Sequence, residues 1–104
     1  MQRFYLHAKI QQIPVTDKAL HYNGSLTIGR NILEEIDLQP GERVLCGNIT
    51  NGQRWETYII PSDEDNACVL NGGVARLDEV GDRLVVMAFC LAEEAPEVRT
   101  FHFD

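Results

Sequence analysis

Ser25 is the residue around which the reactive side-chain types of this sequence gather. It closes the run His21-Tyr22-Asn23-Gly24-Ser25, with Lys9 upstream and Asn48-Ile49-Thr50-Asn51-Gly52-Gln53-Arg54-Trp55-Glu56-Thr57-Tyr58 downstream, followed by Asn71-Gly72-Gly73. The set holds a hydroxyl beside a glycine carbonyl, two cations and two phenols. Lys9 and Arg54, together with Arg3, are the candidate local cations for an acidic ligand. Taken singly, each residue has an ordinary reading: an exposed charge for Lys or Arg, a strand or interface residue for Tyr58 and Trp55, a β-former for Thr57, and a turn for Asn51-Gly52. The familiar constellations are missing. His7, His21 and His102 are scattered and form no hydrolase triad with a Ser or Cys motif. Neither glycine-rich stretch continues into the Lys-Ser or Lys-Thr of a phosphate loop. Asp63, Glu64 and Asp65 read as a solvated turn, not a calcium loop. Cys46, Cys68 and Cys90 lack metal-ligand spacing and read as buried thiols of a reducing cytosol.

The elements that must position these residues are mostly strands. Arg3 to Val15 alternates Phe4, Leu6, Ala8 and Ile10 against Tyr5, His7, Lys9 and Gln11, which puts Lys9 on a face with His7 and Gln11. Thr16 to Leu20 reads as a short turn or helix, and Leu26 to Ile28 as a strand after the Asn-Gly turn. Asn31 to Ile36 is the expected helix, with Asn31 as N-cap and Glu34 in a capping box, ended by Gln39-Pro40-Gly41. Glu42 to Ile49 and Arg54 to Ile60 form a hairpin about Asn51-Gly52. Ala67 to Leu70 is a short strand, Ala75 to Val80 a turn or helix, Asp82 to Leu91 a long strand, and Phe101 to Phe103 a last extended patch. These elements predict one compact, mainly β, mostly antiparallel barrel-like domain over residues 1–104 with one short helix.

A chain of 104 residues holds one core and gains stability by associating, so a homo-oligomer is expected. Nine basic against 16 acidic residues give a net charge of −7, which repels nucleic acid and anionic membrane surfaces. No apolar h-region opens the sequence, and no stretch approaches the roughly 18 apolar residues of a membrane span. A cytoplasmic location follows as the expectation.

In order, the lysine of the first strand, Tyr22-Asn23-Gly24-Ser25, the motif from Asn48 to Tyr58, and Asn71-Gly72-Gly73 resemble the aspartate 1-decarboxylase family of pyruvoyl enzymes. The resemblance implies a double-psi β-barrel, a homotetramer, and self-cleavage into residues 1–24 and 25–104. It implies that Ser25 attacks the Gly24 carbonyl with Thr57 as helper, and that Ser25 becomes a pyruvoyl cofactor, with no metal and no external organic cofactor. The ketone condenses with the substrate amine and takes up electrons as carbon dioxide leaves. By the same resemblance, Lys9 and Arg54 hold substrate carboxylates and Tyr58 returns a proton. Tyr22, Asn71, Gly72 and Gly73 line the pocket, and an acetyltransferase-like partner assists maturation. The implied reaction is decarboxylation of L-aspartate to β-alanine in pantothenate biosynthesis. Gln11 and Gly47 stand where the family commonly has histidine and tryptophan, and Gly73 where it usually has alanine. These three motivate a pyruvoyl decarboxylase of another small amino acid as an alternative. A non-cleaving double-psi barrel serving as a binding or structural module is the other.

Overall fold

The computed structural model describes residues 1–104. Its elements are β1 (Arg3–Pro14), β2 (Asp17–Ala19), β3 (Ser25–Gly29), α1 (Arg30–Ile36), β4 (Arg43–Asn48), β5 (Arg54–Ser62), β6 (Cys68–Asn71), a 3₁₀ turn (Gly72–Arg76), β7 (Arg83–Ala92) and β8 (Arg99–His102). The strands join in one sheet in the order β2-β6-β3-β5-β4-β7-β1-β8. Four pairings are antiparallel, β1 with β7, β3 with β6, and β4 with both β5 and β7. Three are parallel, β1 with β8, β2 with β6 and β3 with β5. The fold is mainly β with one short helix, and this mixed connectivity is consistent with a double-psi β-barrel. The sheet is mostly antiparallel, as expected, and the three parallel pairs are an addition that side-chain periodicity, which carries no information on strand direction, does not show.

Every long strand gives one face to a common core. Ile10, Leu26, Ile28, Val44, Ile59, Leu70 and Val86 meet there, and α1 closes one side with Ile32 and Ile36. Burying each such side chain contributes about 1.5–3 kcal/mol relative to leaving it exposed.

Three local expectations are corrected. The alternation of β1 breaks at His7: Leu6 pairs with Phe89 but Ala8 with Ala88, so one residue is extra. Such a bulge inverts the phase. Leu6 and Phe4 therefore face away from Ala8 and Ile10, Phe4 is 78% exposed, and His7 turns its ring to Glu42, Nε2 to Oε1 3.0 Å. The run at Thr16 to Leu20 contains a strand, since Asp17–Ala19 pairs with β6 and the Thr16 hydroxyl caps the Cys68 carbonyl. Helix α1 starts at Arg30 after Gly29, with no side-chain cap. Asn31 lies inside the helix and is spent on a reciprocal pair with Asn66, donating from Nδ2 to Oδ1 and accepting the Asn66 N–H.

Candidate active site

Ser25 stands at the first position of β3, where an exposed segment, His21 to Gly24, turns into the core. Only 1% of Ser25 is accessible. Its hydroxyl donates to the Asn23 carbonyl at 3.1 Å and accepts from Asn71 Nδ2 at 3.0 Å. Antiparallel pairing of β3 with β6 sets Asn71 opposite Ser25, so the two side chains share a face. The same Nδ2 donates to Thr27 Oγ1 at 2.8 Å, and Thr27 shares that face by the two-residue period of the strand.

Gly72 packs against the backbone just before the Gly24–Ser25 bond. At its φ of +77°, a Cβ would lie 2.8 Å from Gly24 Cα and 3.0 Å from the Tyr22 carbonyl oxygen. Only glycine gives this approach without displacing the segment. Gly73 is exposed and a Cβ there meets nothing. Tyr22 contributes its backbone to the contact, while the residue as a whole is 59% exposed.

Strand β5 brings the next candidates alongside. Leu26 pairs with Ile59 in parallel register, so the residues just before this pair, Ser25 on β3 and Tyr58 on β5, lie at the same end of the two strands. Tyr58 lies on the face of Ser25, opposite the core residue Ile59. Adjacent strands are about 4.8 Å apart, so the backbone of Tyr58 runs close to that of Ser25. Sequence order alone could not show this, because the two residues meet only through a long-range parallel pair.

Lys9 and Arg54 do not join that group within the protomer. Lys9 pairs with Met87, Met87 with Leu45, and Leu45 with Glu56, two residues from Arg54 on β5. Lys9 and Arg54 thus share the outer face but lie three strands apart, about 14 Å along the sheet. Arg54 lies over Gly47, where a Cβ would be 3.3 Å from Nη1. The two border a cavity of about 260 Å³ that also includes Asn48, Gly52, Val85 and Met87. Arg3 opens β1 at the exposed end of the sheet, away from all of these.

The motif from Asn48 to Trp55 is largely a brace. Asn48 Nδ2 donates to Asp82 at 2.8 Å, while its Oδ1 accepts the N–H groups of Thr50 and Asn51. Asn51 Nδ2 donates to Asp78 at 3.0 Å and Trp55 Nε1 to the other Asp78 oxygen at 2.8 Å. Asp78 is wholly buried, and the sequence carries no local signal of this, because an Asp-Glu pair just before Val80-Gly81-Asp82 has the composition of a solvated turn. The brace ties the β4–β5 hairpin to the segment that leaves the Gly72 clamp. Thr27 was likewise passed over, although its position two residues after Ser25 was a usable signal.

Cys46 and Cys68 are buried, as expected, whereas Cys90 is only half-buried. Burial pushes the Cys68 thiol from 9.0 up to about 12. Cys46 is raised too, first by burial and then by the neighbouring Cys68 and Asp78. Both are inert core thiols at neutral pH. No group of three or more His, Cys, Asp or Glu side chains is arranged to hold a metal ion, and no helix is long and apolar enough to cross a membrane.

The fold is that of a small, mainly β domain consistent with a double-psi β-barrel, and it buries the hydroxyl of a serine that follows a glycine at the start of a strand. Comparison with known proteins agrees with that class. The family described as aspartate decarboxylase matches residues 1–102. The chain is 48% identical over 96 residues to the aspartate 1-decarboxylase of Pyrobaculum islandicum, covering 91% of this chain and 79% of that protein. It is 46% identical over 90 residues to that of Thermosipho africanus, covering 86% and 75%, and 45% identical over 96 residues to that of Coprothermobacter proteolyticus, covering 91% and 80%. The chain belongs to the aspartate decarboxylase family, and is thereby an enzyme of the lyase class.

Proposed function

We propose that this chain cuts itself between Gly24 and Ser25, turns Ser25 into a pyruvoyl group, and with it decarboxylates L-aspartate to β-alanine. The observation that carries the reading is the buried Ser25 hydroxyl, held between Asn71 and the Asn23 carbonyl directly after Gly24, whose Cα and N lie close to Gly72. Ser25 Oγ bonds to the Gly24 carbonyl carbon, the amide breaks, and the hydroxyl proton passes to the Ser25 nitrogen, leaving an ester. Thr57, on β5 beside β3, is the helper for the oxyanion formed at that carbonyl. Loss of the Ser25 Cα proton expels the Gly24 carboxylate together with the former hydroxyl oxygen. Water then supplies the ketone oxygen and the nitrogen leaves as ammonia. Residues 1–24 and 25–104 result.

The residues present fit such a group. Position 25 is enclosed by neutral partners, and the Asn71 N–H that donates to a hydroxyl oxygen serves a ketone oxygen by the same chemistry. A pyruvoyl group supplies an electron-accepting carbonyl for loss of carbon dioxide, so the reading requires neither a metal nor a separately bound organic cofactor. Tyr58 returns the proton to the substrate carbon. Arg54 holds one substrate carboxylate in a bidentate pair and Lys9 the other. Tyr22, Asn71, Gly72 and Gly73 line the pocket.

Because Lys9 and Arg54 diverge within one protomer, the reading draws on a homotetramer, in which a neighbouring copy completes the site. The outer sheet face supports that association, since Phe4, Phe89 and Leu91 are exposed there. A cytoplasmic setting suits the three free cysteines. An acetyltransferase-like maturation factor completes the reading.

A second reading, another small amino acid as substrate, is favoured by the cavity of about 260 Å³ that Gly47 and Arg54 border. Incubation with L-aspartate is expected to release carbon dioxide and β-alanine, with ketone labelling of the protein by a hydrazide and silence in Ser25→Ala. Absence of both label and gas contradicts the proposal. Activity confined to aspartate across an amino-acid panel rejects the second reading.

A further inference from the structure

We propose that Thr27 is a positioning residue for self-cleavage, acting through Asn71 on the Ser25 hydroxyl. The inference rests on the self-cleavage reading and deepens it. Ser25 has one proton, and it is engaged at the Asn23 carbonyl, 3.1 Å away. Whatever faces Ser25 Oγ from Asn71 must therefore be a donor, which selects the amide nitrogen over the amide oxygen. A primary amide has two N–H bonds. Ser25 Oγ takes one at 3.0 Å and Thr27 Oγ1 takes the other at 2.8 Å. Thr27 is thus the second anchor that keeps the Asn71 amide from turning its oxygen toward Ser25.

That orientation matters when Ser25 becomes a nucleophile. The hydroxyl proton moves to the Ser25 nitrogen as the Gly24–Ser25 amide breaks, and Oγ carries partial negative charge from the weakening of its O–H bond until its bond to the Gly24 carbonyl carbon is complete. An N–H aimed at Oγ stabilises that charge, whereas an amide oxygen in its place repels it. Thr27 exchanges no proton and forms no bond in the step. Its contribution is the direction of the Asn71 N–H. The geometry follows from the strands: Thr27 and Ser25 share a face by the two-residue period, and the β3–β6 register sets Asn71 opposite Ser25, from where its side-chain amide reaches both hydroxyls.

Thr27→Val keeps the shape and removes the acceptor, leaving one Asn71 N–H without a partner. Cleavage of freshly purified precursor, followed over time by mass spectrometry under denaturing conditions, is expected to slow about tenfold, the effect of one hydrogen bond. Thr27→Ser, which keeps the hydroxyl, is expected to cleave at the wild-type rate. Thermal midpoints measured in parallel separate slow cleavage from poor folding, and Thr27→Ala replaces the valine variant if that one does not fold. Wild-type cleavage with an unchanged rate in Thr27→Val overturns this inference and leaves the self-cleavage reading standing. Equal slowing in Thr27→Ser also overturns it, because packing rather than the hydroxyl would then be responsible. A wild-type chain that never cleaves overturns both.

Discussion

Gly72 and Gly73 are neighbours in sequence with opposite tolerance for a side chain. A methyl group at Gly72 would occupy a left-handed backbone position and collide with the backbone of Gly24. Gly72→Ala is therefore expected to cost about 2 kcal/mol and to displace the Gly24–Ser25 bond. At Gly73 nothing lies near, and Gly73→Ala is expected to change stability by less than about 0.5 kcal/mol. Urea denaturation of the two variants checks both values. The sequence marked Asn71-Gly72-Gly73 as one unit, and only the structure divides it into a hydrogen-bond donor, a clamp and an open position. The division depends on contacts between residues nearly 50 positions apart, which no local pattern encodes.

Elements, too, were legible where their signal was local. The hairpin of β4 and β5 follows from Asn51-Gly52, and Gly52 indeed adopts a φ of +81°. The bulge at His7 was not legible, since Phe4, Leu6, Ala8 and Ile10 alternate without a break in the sequence. What inverts them is the pairing of β1 with β7. The start of α1 is another such case. Helix propensity rules favour serine over glycine as an N-cap, yet a Cβ at Gly29 would lie 2.5 Å from Asn31 Oδ1 and 2.8 Å from the Glu64 carbonyl oxygen. Gly29→Ser is accordingly expected to lower the denaturation midpoint, against the usual rule. Asp78 supports the hairpin from the opposite side. Its replacement by alanine strands the Trp55 and Asn51 donors and is expected to cost about 3 kcal/mol by chemical denaturation.

At the scale of the whole molecule, the core thiols couple stability to pH. Both are held neutral in the fold, with Cys68 raised from 9.0 to about 12, while an unfolded thiol ionises near its ordinary value. The contribution of Cys68 is complete below pH 9.0 and is lost progressively as pH rises toward about 12, and that of Cys46 is lost in the same direction. Cys68→Ala should flatten the fall in urea midpoint across that range. The divergence of Lys9 and Arg54 makes a second prediction. If copies share sites, co-assembly of Ser25→Ala chains with Arg54→Ala chains should restore activity that neither variant has alone, as measured by carbon dioxide release. The acidic composition pointed away from nucleic acid, but it could not show how a surface of net charge −7 gathers two cations for an acidic substrate. The most direct test of the account is the mass of the denatured protein. Two chains are expected, residues 1–24 and 25–104, the longer one lighter by one ammonia than a chain beginning with serine. A single intact chain of 104 residues after prolonged incubation would contradict it.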